Sequence, residues 1–243
     1  MAGRGVDFLH SAQRHADYTG RRILEVMHEA VNYTATIAGL VERAWPPAAE
    51  SAVEFGAGDG AFARKFRSGG RRVECVELDD RLRAGLGADG FAVHANIREL
   101  ADESCSFIYS VNVLEHIPDL DAELRALHRV LRKGGTFFVF VPAFRMLWTS
   151  LDTEVGHVTR FTRGSLSAAL RRAGFEIDRL GYFDSLGFPA ALAVRLMERM
   201  GMFSYGGGAV KLYDRYIFPV SRMMDAGLSP LLGKNLIATA RKT

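Results

Sequence analysis

Apolar residues fall in short runs separated by polar or glycine-rich stretches. Ala52–Phe55, Arg72–Leu78, Phe91–Ala95, Ser106–Asn112 and Thr136–Val141 read as strands. Ser106–Asn112 carries few polar residues, as a strand covered on both faces should. Helical patterns lie between them. One opens at Ala61, runs to Phe66 and is ended by Gly69-Gly70; another spans Asp121–Arg132, with Leu124, Leu127 and Leu131 on one face and Gly134 as its stop. This alternation over residues 48–142 predicts a doubly wound α/β sheet with parallel crossovers. Beyond it, Phe144–Arg160 reads as a polar-aromatic loop. Thr162 or Ser165 caps a helix to Ala173 that Gly174 ends. Glu176–Tyr182 is a sixth strand, Leu186–Leu232 is largely helical with Pro219 as a break, and Asn235–Ala240 is a last strand.

Ahead of the first strand, residues 1–44 read as helical. Thr19 caps a helix running through Arg22 to Arg43, on which Ile23, Met27, Ala30, Ile37, Leu40 and Val41 share a face. Trp45-Pro46-Pro47 ends it. The segment is either a lid or a packing layer. The organisation expected is one domain: a helical lid over 1–47, a ligand-binding core over 48–142, and a substrate-side half over 143–243 with a helical insertion near 186–232.

Composition narrows the class. A chain of 243 residues with 48% hydrophobic and 24% charged residues builds a core and is not disordered. The net charge of +3, with basic pairs scattered at Arg21–Arg22, Arg71–Arg72 and Arg171–Arg172, argues against a nucleic-acid binder. Cys75 and Cys105 lie inside strands, have no metal spacing and imply no disulfide framework. Neither a signal-peptide pattern nor an uncharged stretch near 18 residues is seen, so a cytoplasmic protein without a transmembrane span is expected.

The chemistry gathers around Ser51–Arg67. A strand, a turn with Gly56, Gly58 and Gly60, and a helix start make a site where backbone passes close to a ligand and unpaired helix N–H groups face it. The glycines satisfy the dinucleotide fingerprint G-x-G-x-x-G/A. Glu77 stands at the end of the second strand, 21 positions beyond Gly56, where an acidic side chain can accept both hydroxyls of a ribose. His10, His15 and His28 have no metal spacing, no acidic cluster points to magnesium, and no metal is expected.

With these elements in order, the chain resembles the class I S-adenosylmethionine-dependent methyltransferases of small-molecule type. The motifs are VEFGAGDG (53–60), VELDD (76–80), NIREL (96–100), SVNVLEHIPD (110–119), LRKGG (131–135), FVFVP (138–142) and GHVTRFTRGSL with AGF (156–175), covering nearly the whole length. The resemblance implies a Rossmann-like seven-stranded sheet whose last strand is antiparallel, with S-adenosylmethionine as methyl donor and S-adenosylhomocysteine as product. It implies that Glu54 anchors the glycine loop and the methionine ammonium. Phe55, Gly56, Ala57, Gly58 and Gly60 would pass beneath the methionine and ribose; Glu77, with Leu78 beside it, would take the ribose. Asn96, where many relatives carry aspartate, and the Ile97 N–H would meet the adenine, and Asn112 would line the methyl-donor pocket. Ser106 also stands where relatives carry aspartate. Tyr18 and Arg14 have the placement of lid residues that close over the methionine end.

The resemblance implies in-line transfer to a small organic acceptor, at oxygen in the leading reading, with nitrogen and carbon as alternatives. His157 is the candidate proton acceptor and is otherwise structural. His116, nearer the cofactor loop, is a candidate acceptor-side residue, with a structural role favoured. Arg160 either binds an anionic acceptor group or pairs with Asp152 or Glu154. The segment Phe183–Leu232 roofs an apolar or lipid-linked acceptor, forms a dimer surface, lies against a membrane, or is an ordinary packed cap. Monomer and homodimer both stay open. Two other readings compete: an NAD-type oxidoreductase, which lacks a recognisable hydride-transfer set, and a catalytically silent methyltransferase-like scaffold.

Overall fold

The strands form where alternation places them. In the computed structural model of the chain, which describes residues 29–202, 207–228 and 230–243, β1 (Ser51–Phe55), β2 (Arg72–Val76), β3 (Ala92–His94), β4 (Cys105–Val111), β5 (Leu131–Pro142), β6 (Phe175–Phe183) and β7 (Asn235–Lys242) make one sheet. Its order is β3-β2-β1-β4-β5-β7-β6. The first five strands pair in parallel, and β7 lies antiparallel between β5 and β6. The order reverses between β1 and β4, so a crevice opens at their carboxyl ends, the usual ligand position in such sheets.

Period-two alternation sends each strand's side chains to two separate cores. Phe107, Tyr109, Phe138 and Phe140 face one side, where α1 (Val31–Ala44) and α2 (Ala61–Ser68) bring Tyr33, Ile37, Val41 and Phe66. Leu86 of α3 (Asp80–Ala88) joins them. Ile108, Phe137, Val139 and Val141 face the other side, where α4 (Leu120–Val130) and α6 (Arg163–Arg172) bring Leu124, Leu127, Leu166 and Leu170. The short α5 (Ser150–Glu154) lies between β5 and α6. A cap of α7 (Gly187–Arg199), α8 (Gly207–Leu212) and α9 (Phe218–Leu228) precedes β7.

The helix before β1 is a packing layer over its described length, burying Tyr33, Ile37, Ala38 and Val41. It does not run unbroken from the Thr19 region, because Ala30 leaves helical backbone ahead of Val31. The freed N–H groups of Asn32 and Tyr33 are accepted by the Asp214 carboxylate at 2.9 and 2.8 Å. Asp214 sits in a π-helical turn, Tyr213–Ile217, that joins α8 to α9. Pro219 therefore does not break the helical segment; it has no N–H for the Arg215 carbonyl, and the widened turn precedes it. The described cap is tied to the body by a buried polar network. Asp184 accepts hydrogen bonds from Ser221 Oγ at 2.7 Å and Tyr213 Oη at 2.6 Å, and Lys234 Nζ lies 3.3 Å from its Oδ2. Asp225 accepts from the Ser185 N–H at 2.8 Å.

One helix is additional to those expected, and two other expectations differ. Residues 80–88 form α3, whose apolar pattern is diluted by Gly85 and Gly87, while Asp79 caps it through the N–H groups of Arg81 and Leu82. Gly134 does not stop a helix: α4 ends at Val130, and Gly134 lies within β5 at φ +76°. The loop over 144–160 contains α5, opened by a capping box between Thr149 and Asp152. Among the described residues no helix is long and apolar enough to cross a membrane. Tyr18, Arg14, Thr19, Arg22, Ile23, Met27, His10, His15 and His28 lie outside the described residues.

Candidate active site

The loop after β1 is shaped by its glycines. Gly56, Gly58 and Gly60 all take positive φ, +79°, +56° and +82°. A Cβ on Gly56 would stand 2.3 Å from Val113 Cγ2, and one on Gly60 would stand 2.4 Å from Leu86 Cδ2. Larger residues are thus excluded at both positions by backbone and by packing. The Gly56 and Ala57 N–H groups bond the Val76 carbonyl at 2.8 and 3.1 Å, which fixes the loop against the end of β2.

Glu77 emerges at that end. Its Oε2 accepts the Gly58 N–H at 2.7 Å and its Oε1 accepts the Asp79 N–H at 2.9 Å. Each carboxylate oxygen has two lone-pair sites, so one on each stays available to a diol while the backbone holds the group still. Leu78 beside it is 82% exposed, an uncovered apolar surface next to a polar clamp. Asn96 accepts the Arg98 N–H at 2.9 Å and caps the turn Ile97–Glu99, so its side chain is a structural cap, and Ile97 is buried under that turn.

Beneath the loop lies Glu54, 3% exposed, whose Oε2 accepts the Tyr109 hydroxyl at 3.0 Å. Burial pushes its carboxyl up to about 8, against the opposing pull of Tyr109 and of the Ala63 N–H in the first turn of α2. Asn112 closes β4 in left-handed backbone at φ +54°, with its N–H on the Phe140 carbonyl at 2.8 Å. Phe144, just past β5, has φ +56° and ψ 111°, a strained conformation for an aromatic residue. Its ring stacks on Tyr182 at 4.8 Å. Both residues stand at the carboxyl edge of the sheet, Asn112 preceding the Val113 side chain that faces Gly56.

A polar cluster adjoins that edge. The turn Leu114–His116 follows Val113 directly, and α5 with the strand-like segment after it folds over the turn. The Val158 N–H donates to the Glu115 carbonyl at 2.8 Å. His157 Nδ1 is 2.7 Å from Asp152 Oδ1, and Asp152 also accepts from Arg160 Nε at 2.7 Å, Arg160 Nη2 at 3.0 Å and the Thr149 N–H at 2.8 Å. Burial would raise the Asp152 carboxyl; the hydrogen bonds from His157 and Arg160 outweigh it and hold the group well below the usual carboxylate range. Asp152 stays ionised and holds His157 through Nδ1, which turns Nε2 the other way.

His157 Nε2 faces Glu115 Oε1 at 3.8 Å, beyond hydrogen-bond reach. Glu115 is fully buried and neither carboxylate oxygen has a hydrogen-bond partner. Burial pushes its carboxyl up to about 8. His116 packs edge-to-face on His157 with ring centroids 4.7 Å apart, and burial, then the neighbouring His157, bring its pKa down to about 4. Arg160 directs its third nitrogen at the Ala143 carbonyl, 3.1 Å away, so its guanidinium serves Asp152 and the backbone. The structure brings His116, His157 and Arg160 together, as their separation of some forty positions in sequence does not announce. Glu115 was missed; its signal is an acidic residue beside a histidine in the otherwise apolar run NVLEHI.

A family model described as a methyltransferase domain matches residues 12–180. A malonyl-[acyl-carrier protein] O-methyltransferase of Methylococcus capsulatus is 33% identical, over 65% of this chain and 63% of that protein. A protein with the same description from Pseudescherichia vulneris is 26% identical, over 62% of this chain and 64% of its own length. The chain thus spans less than two thirds of the curated relatives it matches. Among solved structures, a Haloferax volcanii protein described as a putative methyltransferase in complex with the Trm112 activator is similar with a TM-score of 0.63 at 15% identity, covering 93% of this chain and 96% of that one. A Thermotoga maritima S-adenosylmethionine-dependent methyltransferase, described as a possible histamine N-methyltransferase, gives 0.61 at 17% identity, covering 94% and 100%. At these identities the structural likeness concerns the fold.

Proposed function

The chain belongs to the class I S-adenosylmethionine-dependent methyltransferase family, and from that premise we propose that it methylates an oxygen of a small organic acceptor. The sulfonium supplies an activated methyl group, whose bond to sulfur breaks as the bond to the acceptor oxygen forms. The protein's task is then orientation, a contribution that reaches about 7–11 kcal/mol in well-aligned reactions.

The observation that carries this reading is the pairing of the glycine cradle with the Glu77 carboxylate. Side chains are excluded from the cradle at Gly56 and Gly60, and Glu77 is fixed by two backbone N–H groups with lone pairs to spare. Those features fit a ribose-bearing cofactor. Glu54 sits below the loop, where a cationic amine on the ligand would stabilise its ionised form. Leu78 and the Ile97 turn would flank the base, and Asn112 and Phe144 would border the reacting group. On the acceptor side, His157 offers the electron pair of Nε2, oriented by Asp152, and Arg160 acts through Asp152 as a positioning residue. Oxygen is favoured because this electron-pair donor suits a hydroxyl or carboxyl that reacts as its anion. The two O-methyltransferase relatives point the same way.

Isothermal titration tests the reading. S-adenosylhomocysteine should bind at micromolar affinity and NAD should not. Glu77→Ala should weaken binding by about 1–3 kcal/mol through loss of charged hydrogen bonds. Binding of NAD instead, or equal affinity in Glu77→Ala, would overturn it.

A further inference from the structure

The acceptor-side cluster holds an arrangement that proton transfer alone does not require. Glu115 is fully buried, yet both its oxygens lack a hydrogen-bond partner. A carboxylate in that position is costly unless something positive reaches it. The nearest cation, Arg160, is engaged by Asp152 and the Ala143 carbonyl. What stands next to Glu115 is instead a pair of imidazoles. One ligand atom from each of Glu115, His116 and His157 lies within 4.8 Å of the others.

We propose that Glu115, His116 and His157 bind a divalent first-row transition cation of the zinc or manganese class, with coordination positions left open toward the acceptor. Two imidazole nitrogens and one carboxylate are a donor set that suits such ions and is too rich in nitrogen for magnesium or calcium. Ligand atoms about 2.1 Å from a cation at a tetrahedral angle stand roughly 3.4 Å apart. The 3.8 Å between His157 Nε2 and Glu115 Oε1 is close to that, and a small rotation of either side chain closes it. His157 has the outer partner expected of a metal ligand. Its Nδ1 is on the Asp152 carboxylate, itself fixed by Arg160 and Thr149, so Nε2 is the coordinating atom.

The charges also fit. Asp152 is balanced by Arg160, leaving one negative charge on ionised Glu115 against a doubly positive ion. The site would carry one net positive charge, which an anionic acceptor oxygen neutralises. The cation would thus lower the pKa of an acceptor hydroxyl bound to it, or orient a carboxylate, as a Lewis acid without redox change. With the ion bound, His157 Nε2 is a ligand and no longer a proton acceptor, and the cation takes over the task of favouring the acceptor anion. That use of the ion rests on the oxygen-methylation reading above, while binding of the ion does not.

The test uses untagged full-length protein treated with EDTA and titrated with cobalt(II), followed by visible absorption, with zinc(II) as competitor. Expected are one equivalent of tightly bound cobalt with ligand-field bands, displaced by zinc, and an affinity at least about 100-fold lower in Glu115→Gln and in His116→Ala. Asp152→Asn should weaken the metal by roughly 10–100-fold. Titration with S-adenosylhomocysteine reports folding of each variant independently. Absence of a stoichiometric site in the wild type, or wild-type cobalt affinity in both ligand variants, overturns the proposal. Cobalt silence with intact S-adenosylhomocysteine binding sinks the metal site alone; the reverse pattern sinks the methyltransferase reading and leaves the metal site standing.

Discussion

Glu54 shows how one residue joins the fold to its ligand chemistry. Its carboxyl is raised from 4.5 to about 8, first by burial. Across that window the folded chain keeps a proton that the unfolded chain releases, so stability falls as pH rises and the effect is absent below the lower value. Glu54→Gln removes this slope. The difference in unfolding free energy between wild type and variant should shift by roughly 1.4 kcal/mol per pH unit between pH 5 and 7.5. Denaturant titrations at three pH values check it, and parallel profiles would refute it. Residue-scale legibility was uneven. The glycines and Glu77 could be read because their roles depend on backbone conformation and on spacing from one strand end to the next. Asp152 could be offered as a partner of Arg160, close by in sequence, and the structure makes that pair. Glu115 could not be read, since its importance lies in burial and in His157, brought from 42 positions away. Asn96 could be placed, but not its commitment to capping the turn Ile97–Glu99.

Among the elements, α1 depends on a carboxylate from the far end of the chain. Asp214 takes the place of a local N-cap, and both its oxygens are used on buried or half-buried N–H groups. Asp214→Ala should therefore cost about 1–3 kcal/mol, more than a surface cap, because the N–H of Tyr33 would be left buried without a partner. Equilibrium denaturation measures this, and a loss below about 0.5 kcal/mol would show that α1 finds another acceptor. Local signals could not reveal this cap: Ala30 is no capping residue, and the partner lies 181 positions from Tyr33. The same limit explains α3, which the sequence pattern hides behind two glycines, and the π-turn, which Pro219 marks without specifying. Strands were the easier elements, because β4 and β5 carry apolar residues to both cores and so stand out as uninterrupted runs.

For the whole molecule, one sheet separates two cores, and the ligand crevice lies where both meet the strand ends. A ligand that bridges β1, β2 and β4 should stabilise the entire assembly. S-adenosylhomocysteine at 100 times its dissociation constant contributes about 2.7 kcal/mol, so Tm should rise by roughly 5–11 °C for a chain of this size. NAD should leave Tm unchanged, and scanning calorimetry distinguishes the two. The doubly wound class was readable from alternation alone. The insertion of β7 between β5 and β6 was not, because an antiparallel return strand carries no marker of its neighbours; the family resemblance implied only that the last strand is antiparallel.

That insertion bears on how the chain is made. A ribosome delivers β6 well before β7, yet β6 touches the sheet only through β7. Until residues 235–242 emerge, β6 and the edge of β5 are open strand edges on a nascent protein. The α1 helix likewise waits for Asp214. The first five strands can pair during translation, but β6 joins them only once β7 is in place. Chaperone demand, and the damage done by a chain cut short before residue 235, should therefore concentrate on the docking of β7.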